Sequence, residues 1–137
     1  MKHNFDLRVY YSDTDAGGIV YHARYLDFAE HARTELFREL AQQKTSLHAL
    51  MKELRIGFVV KEISVDYINP SYLDDKLTVV TTIKNLKRFS LTFLQEIFRD
   101  NQQIATLVVK VASVNLDSGK LLPLQSWFVE AVEKFIN

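Results

Sequence analysis

Two acidic side chains, Asp13 and Asp15, stand just ahead of two adjacent glycines, Gly17 and Gly18, and His22 follows at the mouth of a long helical pattern. A carboxylate beside a helix start suits chemistry on an electron-poor carbonyl. It can attack the carbonyl carbon or take a proton from an attacking water. The usual N-cap residues are Ser, Thr, Asp and Asn. None occurs from Ala16 to Ala23, so backbone N–H groups near Ile19–Ala23 are expected to lack side-chain partners. Such amides, at the positive end of a helix dipole, can grip a developing oxyanion. Gly17 and Gly18 let the backbone turn sharply and a ligand come close.

Asp15 is the strongest single candidate, and opposed effects act on it. Amides at the helix terminus keep it ionised, while Ile19, Val20 and Tyr21 partly desolvate it and restore basicity. His22 offers its backbone N–H or its imidazole, and Tyr11 a hydroxyl from the strand before. A plainer reading of the same residues stays open: Asp13 and Asp15 cap a turn, the helix end is hydrated, and Tyr11 is packing.

Other chemistries are excluded by composition. Glycines occur only at 17, 18, 57 and 119, which leaves no Gly-x-Ser-x-Gly elbow, P-loop or dinucleotide fingerprint. There is no cysteine, hence no disulfide, thiolate metal site or cysteine nucleophile. His22 and His31 are too far apart in sequence for the two-histidine helix spacing of a zinc protease, and no metal site is expected. The 17 basic and 17 acidic residues balance, so no whole-chain field favours nucleic acid or an anionic membrane. No apolar run reaches the ~20 residues that span a bilayer. No secretory signal is visible, and a cytoplasmic location is the default expectation.

These residues must be positioned by a scaffold. The 137 residues are expected to form one domain, 1–137. Phe5, Leu7, Val9 and Tyr11 alternate as a first strand. From about His22 to Ala41 the period changes. Tyr25, Ala29, Ala32, Leu36 and Leu40 form one helical stripe, widened by Phe28 and Phe37, and Glu30, Arg33, Glu35, Arg38 and Glu39 supply the polar side. A weaker helical patch covers Ser46 to Arg55. From Gly57 to Asp117 the chain reads as strands: Val59, Ile63, Val65 and Tyr67 alternate until Asn69-Pro70, and Leu77 to Lys84, Phe89 to Arg99 and Ile104 to Leu116 follow with hairpin-length separators. Leu124 to Ile136 is a candidate C-terminal helix. One long helix followed by consecutive antiparallel strands means α+β, with a curved sheet around the helix and Phe93, Ile97, Val109 and Val111 facing it. Long edge strands are a liability, so at least a dimer is expected.

The stretch Val9 to Leu26, Val-Tyr-Tyr-Ser-Asp-Thr-Asp-Ala-Gly-Gly-Ile-Val-Tyr-His-Ala-Arg-Tyr-Leu, resembles the signature of hotdog-fold acyl-CoA thioesterases of the 4-hydroxybenzoyl-CoA thioesterase type. The likeness is closest to the bacterial subgroup associated with the Tol–Pal envelope system. Glu30–Glu35, Leu73–Leu77, Phe58–Val60 and Ser90–Phe93 extend it. The resemblance implies a helix wrapped by a curved antiparallel sheet, hydrolysis of acyl-CoA to free acid and CoA, and no metal or redox cofactor. It also implies Asp15 as the catalytic carboxylate, with Tyr11 and His22 as site residues and the His22 amide polarising the thioester carbonyl. Gly17, Gly18, Val20, Tyr21 and Ser90 would contact substrate. Lys84, Lys87 and Arg88 are candidates for the CoA phosphates, or else an ordinary solvated hairpin.

Family sites lie at a dimer interface, and dimers often pair into tetramers; an acyl carrier protein is a further expected partner, and peripheral attachment at the inner membrane stays open. Two positions depart from the family pattern. His31 replaces the subgroup's usual arginine, and Arg88-Phe89 replace small residues near the pantetheine channel. A hotdog hydratase or dehydratase, or a non-catalytic acyl-CoA or carrier-protein binding module, are the competing readings.

Overall fold

The long helix takes its place because its apolar stripe is continuous and nothing in it breaks the period. In the computed structural model, which describes residues 1–136, it is α1 (Arg24–Ala41). Tyr25, Phe28, Ala29, Ala32, Leu36 and Leu40 are all buried, as the sequence spacing predicts. Around it the order is β1 (His3–Arg8), one 3₁₀ turn (Tyr11–Asp13), α1, α2 (Leu47–Lys52), β2 (Ile56–Tyr67), β3 (Lys76–Leu86), β4 (Ser90–Arg99), β5 (Gln102–Asn115) and α3 (Ser126–Glu133). The five strands form one sheet in the order β1-β3-β4-β5-β2, and every neighbouring pair is antiparallel. The fold is therefore the expected α+β hotdog arrangement. Phe93, Ile97 and Val109 are fully buried, and Val111 nearly so, on the sheet's inner face.

The ends of elements differ from the sequence reading in instructive ways. β1 stops at Arg8 rather than Tyr11, because Asp13 draws the chain into the 3₁₀ turn. Its Oδ2 accepts the Tyr10 amide at 2.8 Å. Tyr11 consequently points outward and is 81 % exposed. α2 is shorter than expected; Ser46 is its N-cap, accepting the Ala49 amide at 3.0 Å. In β2 the register slips between Val60 and Glu62, so Lys61 is an inserted bulge residue. A bulge reverses the in–out phase beyond it. Phe58 and Val60, then Ile63, Val65 and Tyr67, therefore share the inner face, pairing with Ser113, Val111, Val109, Leu107 and Ala105, and Val59 is corrected to the outer one. β2 is the longer free edge of the sheet, with a single neighbour, β5.

Arg33 is a further correction. It is not on the polar side of α1 but within its buried face, 6 % exposed. Gln95 explains how: its side-chain oxygen accepts from the Arg33 guanidinium at 3.0 Å, across the helix–sheet interface. No helix among the described residues is long and apolar enough to cross a membrane.

Candidate active site

The loop between β1 and α1 is folded back on itself and then laid against the turn before β3. Asp15 N–H donates to the Ile19 carbonyl at 2.9 Å, and Tyr21 N–H to the Asp13 carbonyl at 2.9 Å, so residues 13–21 make a miniature antiparallel ribbon. Val20 N–H donates to the Ser71 carbonyl at 2.9 Å, which pins the ribbon to residues 70–72. Gly18 turns the ribbon at a φ of +83°, a backbone region costly for residues with a Cβ. Gly17 serves differently. A Cβ there would sit 3.2 Å from Asp15 Oδ1, in the place where the Gly17 amide donates to that same oxygen at 2.8 Å.

The two acidic residues divide their labour. Asp13 holds the Tyr10 amide with one oxygen, and the other lies 3.7 Å from the Arg24 guanidinium; it caps the turn. Asp15 spends one oxygen on Gly17 and has no partner on the second. It borders an open cleft that it shares with Val20, His22, Tyr25, Tyr67 and Asn69.

The helix start supplies the opposite kind of group. Ala23 is the N-cap of α1 and has no side-chain cap hydrogen bond. Of the amides expected to be free, that of Tyr21 is used within the ribbon and that of Val20 on Ser71, which corrects that part of the sequence reading. The amides of His22 and Ala23 donate to no protein acceptor. The His22 carbonyl is fixed from outside, by the Tyr67 hydroxyl at 2.9 Å, and its ring lies beside Tyr21 at a centroid distance of 4.5 Å and edge-on to Tyr67 at 6.2 Å. Beneath, the Tyr25 hydroxyl meets Ser71 Oγ at 2.6 Å in a buried bond. Burial raises the Tyr25 pKa, only partly offset by that hydrogen bond, so this phenol stays neutral.

The structure thus brings Asp15, Gly17, Gly18, Val20, Tyr21 and His22 to one place. Tyr11 belongs to the same loop, but its ring does not line the cleft. Lys87, Arg88 and Ser90 lie elsewhere. β3 starts beside this loop, with Val9 N–H donating to the Asp75 carbonyl, and then runs 11 residues away, about 33 Å at strand rise. The β3–β4 hairpin is therefore at the far end of the sheet, where the Arg88 carbonyl accepts from Leu124 and the Arg88 guanidinium lies 5.0 Å over the Phe89 ring. His31 makes only a surface contact to Glu30 at 3.8 Å, of little energetic weight. Sequence reasoning missed Tyr67, Tyr25 and Ser71. The one available signal was Asn69-Pro70, read only as a strand end, although a strand that stops beside this loop delivers its last side chains to it. Among the described residues no cluster of His, Asp and Glu fit for a metal is present.

A curved antiparallel sheet around one long helix is the architecture of the hotdog thioesterase class. The comparisons agree. Residues 9–132 match the family described as the thioesterase-like superfamily, and the chain belongs to it. It is 44 % identical over 121 residues, 88 % of this chain and 85 % of the relative, to the acyl-CoA thioesterase YbgC of Haemophilus influenzae. It is 50 % identical over 117 residues, 85 % and 84 % of the two chains, to the acyl-CoA thioester hydrolase YbgC of Escherichia coli O157:H7. The crystal structure of a probable thioesterase from Bartonella henselae superposes with a TM-score of 0.76 at 32 % identity, covering 90 % of this chain and 98 % of that one.

Proposed function

We propose that this protein hydrolyses acyl-CoA thioesters to the free acid and CoA. The observation that carries the reading is that one cleft is lined both by Asp15, with an oxygen that has no partner, and by His22, whose amide donates to no protein acceptor. The thioester carbonyl oxygen accepts from the His22 amide, and the helix dipole adds to its polarisation. Asp15 then acts in one of two ways. It attacks the carbonyl carbon, expelling the CoA thiolate and leaving an acyl anhydride that water opens, or it removes a proton from the water that attacks directly. Tyr67 and Tyr21 hold the His22 peptide and ring, and Val20 and Tyr25 dry the floor. Tyr11 reaches the substrate only if its ring swings in from solvent.

The proposal extends to assembly. The long free edge of β2 pairs with its own copy, giving a dimer that can double into a tetramer. An antiparallel pairing sets the far end of one sheet toward the site end of the other, so Lys87, Arg88 and Ser90 would serve a neighbour's CoA rather than their own chain's. The likeness to the two YbgC proteins supports acyl-CoA as the substrate class. The proposal places the chain in the Tol–Pal-associated subgroup on the resemblance of residues 9–26, in the cytoplasm with peripheral contact at the inner membrane, and adds an acyl carrier protein as a second thioester donor.

An acyl-CoA panel with a thiol-detecting dye tests the reaction. Hydrolysis releases free thiol; a change in enoyl absorbance without thiol would instead make the protein a hydratase, and neither signal would make it a binding module.

A further inference from the structure

The ribbon that carries Asp15 rests on the turn between β2 and β3, residues 68–75. The two ends of that turn hang on backbone. At its start, the register of β5 against β4 slips between Ile97 and Phe98, which leaves Ile104 as an inserted bulge residue. The Ile104 carbonyl accepts the amides of both Ile68 and Asn69, at 2.9 and 3.1 Å. At its finish, Asp74 N–H donates to the Val9 carbonyl and Val9 N–H to the Asp75 carbonyl, each at 2.9 Å. The middle of the turn is the part that meets the ribbon. Val20 N–H donates to the Ser71 carbonyl at 2.9 Å, and Ile19 bridges to Tyr72.

Arg99, the last residue of β4, reaches this middle with its side chain. One guanidinium nitrogen donates to the Pro70 carbonyl at 3.2 Å and to Asp75 Oδ2 at 2.8 Å, and the other donates to the Gln102 side-chain oxygen. The same Asp75 oxygen accepts the Tyr72 amide at 2.9 Å, and the guanidinium carbon lies 5.9 Å from the centre of the Tyr72 ring. Arg99 and Asp75 therefore brace the chain on both sides of Ser71, which α1 holds from beneath through the Tyr25 hydroxyl. The two charged side chains are only 23 % and 22 % exposed. Water screens such a pair less than a surface one, and an arginine–carboxylate bond is of the stronger, charge-assisted kind.

A single peptide plane links the braced turn to the carboxylate. The Ile19–Val20 peptide donates its N–H to Ser71 on one side and accepts the Asp15 amide with its carbonyl, at 2.9 Å, on the other. Peptide planes are stiff, so a shift of Ser71 is handed on to the backbone of Asp15. We infer that Arg99 is a positioning residue for Asp15: it holds Pro70–Tyr72 in place, and through the Ile19–Val20 peptide it sets where the Asp15 carboxylate stands. Arg99 itself does not line the cleft. Its consequence for turnover rests on the thioesterase reading proposed above; its hold on the ribbon does not.

Two readouts on the full chain test this. In Arg99→Met, hydrogen exchange over residues 13–21, followed by mass spectrometry, should quicken about tenfold, the least expected when a hydrogen bond to a charged group is lost. Exchange over residues 30–40, in the middle of α1, should stay at the parent's rate. Thiol release from acyl-CoA should lose about tenfold or more in kcat with KM little changed, because a misplacement of about 1 Å can cost ~10²-fold. Asp75→Asn keeps an acceptor for the Tyr72 amide but loses the charge that holds Arg99. It should behave like Arg99→Met, and the double variant should fall no further than either single one. Arg99→Lys, which restores a cation for Asp75, should recover part of both losses. Gln102→Ala removes only the Arg99 partner outside the turn and should match the parent. A parent that releases no thiol from any acyl-CoA would refute the proposed reaction, and the exchange rates would still decide the role of Arg99. The inference is overturned by parental exchange over 13–21 in Arg99→Met, by additive losses in the double variant, by no recovery in Arg99→Lys, or by an equal loss in Gln102→Ala. With an active parent, an unchanged kcat in Arg99→Met overturns it too.

Discussion

The start and the middle of α1 treat polar groups in opposite ways. At the start, the amides of His22 and Ala23 have no protein acceptor, and Asp15 leaves one oxygen unused. In the middle, Gln95 and Thr81 are fully buried and their polar atoms interlock, while Leu36 and Leu40 beside them are fully buried too. A protein that satisfied its polar groups everywhere would gain stability at the start of the helix and lose the means to hold a substrate oxygen there. On the proposed function the two regions therefore divide stability from chemistry: the middle anchors the helix, and the start keeps polar groups without a protein partner. Substitutions at the two places should move different observables.

The largest expected effect is on turnover. Asp15→Asn keeps an oxygen able to accept from Gly17 but loses the charge proposed to attack or deprotonate. Its loss of kcat should exceed the roughly 10²–10³-fold typical of removing one oxyanion donor, with the thermal midpoint close to the parent's. Turnover near the parent's would break the division at its chemical end. In the middle of the helix the reverse holds. Leu36→Ala removes a fully buried side chain and should cost about 2–5 kcal/mol of stability by denaturant titration. Per folded molecule, the thiol-release rate should change little. A large fall in kcat without destabilisation would show that the middle of α1 is part of the catalytic apparatus.

Those two residues also mark what was legible in the chain. The helix, its stripe and the sheet around it follow from periodicity, because period 3.6 and period 2 are local properties of sequence and burial enforces both. The Asp15–His22 loop was visible because glycine pairs and missing caps are local as well. What the sequence hid depends on register and on partners distant in the chain. Lys61 is an ordinary lysine in a strand until pairing with β5 makes it a bulge, and only then does Val59 fall on the outer face. Arg33 reads as a polar-face residue because its hydrogen-bond partner, Gln95, is 62 positions away. Tyr67 reads as one more strand aromatic, because its hydroxyl meets the His22 carbonyl only after the sheet has closed over the helix start. The distance of Lys87 and Arg88 from this loop was hidden for the complementary reason: a hairpin's composition says nothing about which end of the sheet it occupies.

The adjacent glycines sharpen the comparison within the loop itself. At Gly18 an added Cβ meets nothing within 4 Å, but φ is +83°, so Gly18→Ala should cost about 1–2 kcal/mol of local backbone strain. At Gly17 φ is not positive and the added Cβ would stand 3.2 Å from Asp15 Oδ1. Gly17→Ala should therefore leave the thermal midpoint almost unmoved while pushing the carboxylate out of line, seen as lower kcat with KM little changed. Equal effects of the two substitutions on stability would mean that the 3.2 Å contact is relieved by moving backbone rather than by moving Asp15.

The smallest expected effect separates support from chemistry. Tyr67→Phe removes only the hydroxyl that donates to the His22 carbonyl at 2.9 Å. That bond is exposed, so its loss should cost about 0.5–1.5 kcal/mol at most. Its consequence for catalysis is indirect. The His22 carbonyl belongs to the peptide whose amide is carried by Ala23, and freeing it lets that peptide plane tilt, which disturbs the helix start beside the His22 amide proposed to hold the substrate oxygen. The aromatic ring remains to pack edge-on against His22 and Tyr25, so the cleft should keep its shape and substrate binding should persist. The expected signature is a several-fold drop in kcat at nearly constant KM. If KM rises and kcat does not fall, Tyr67 acts on ground-state binding through the cleft wall, and the geometry of the helix start is rigid without it.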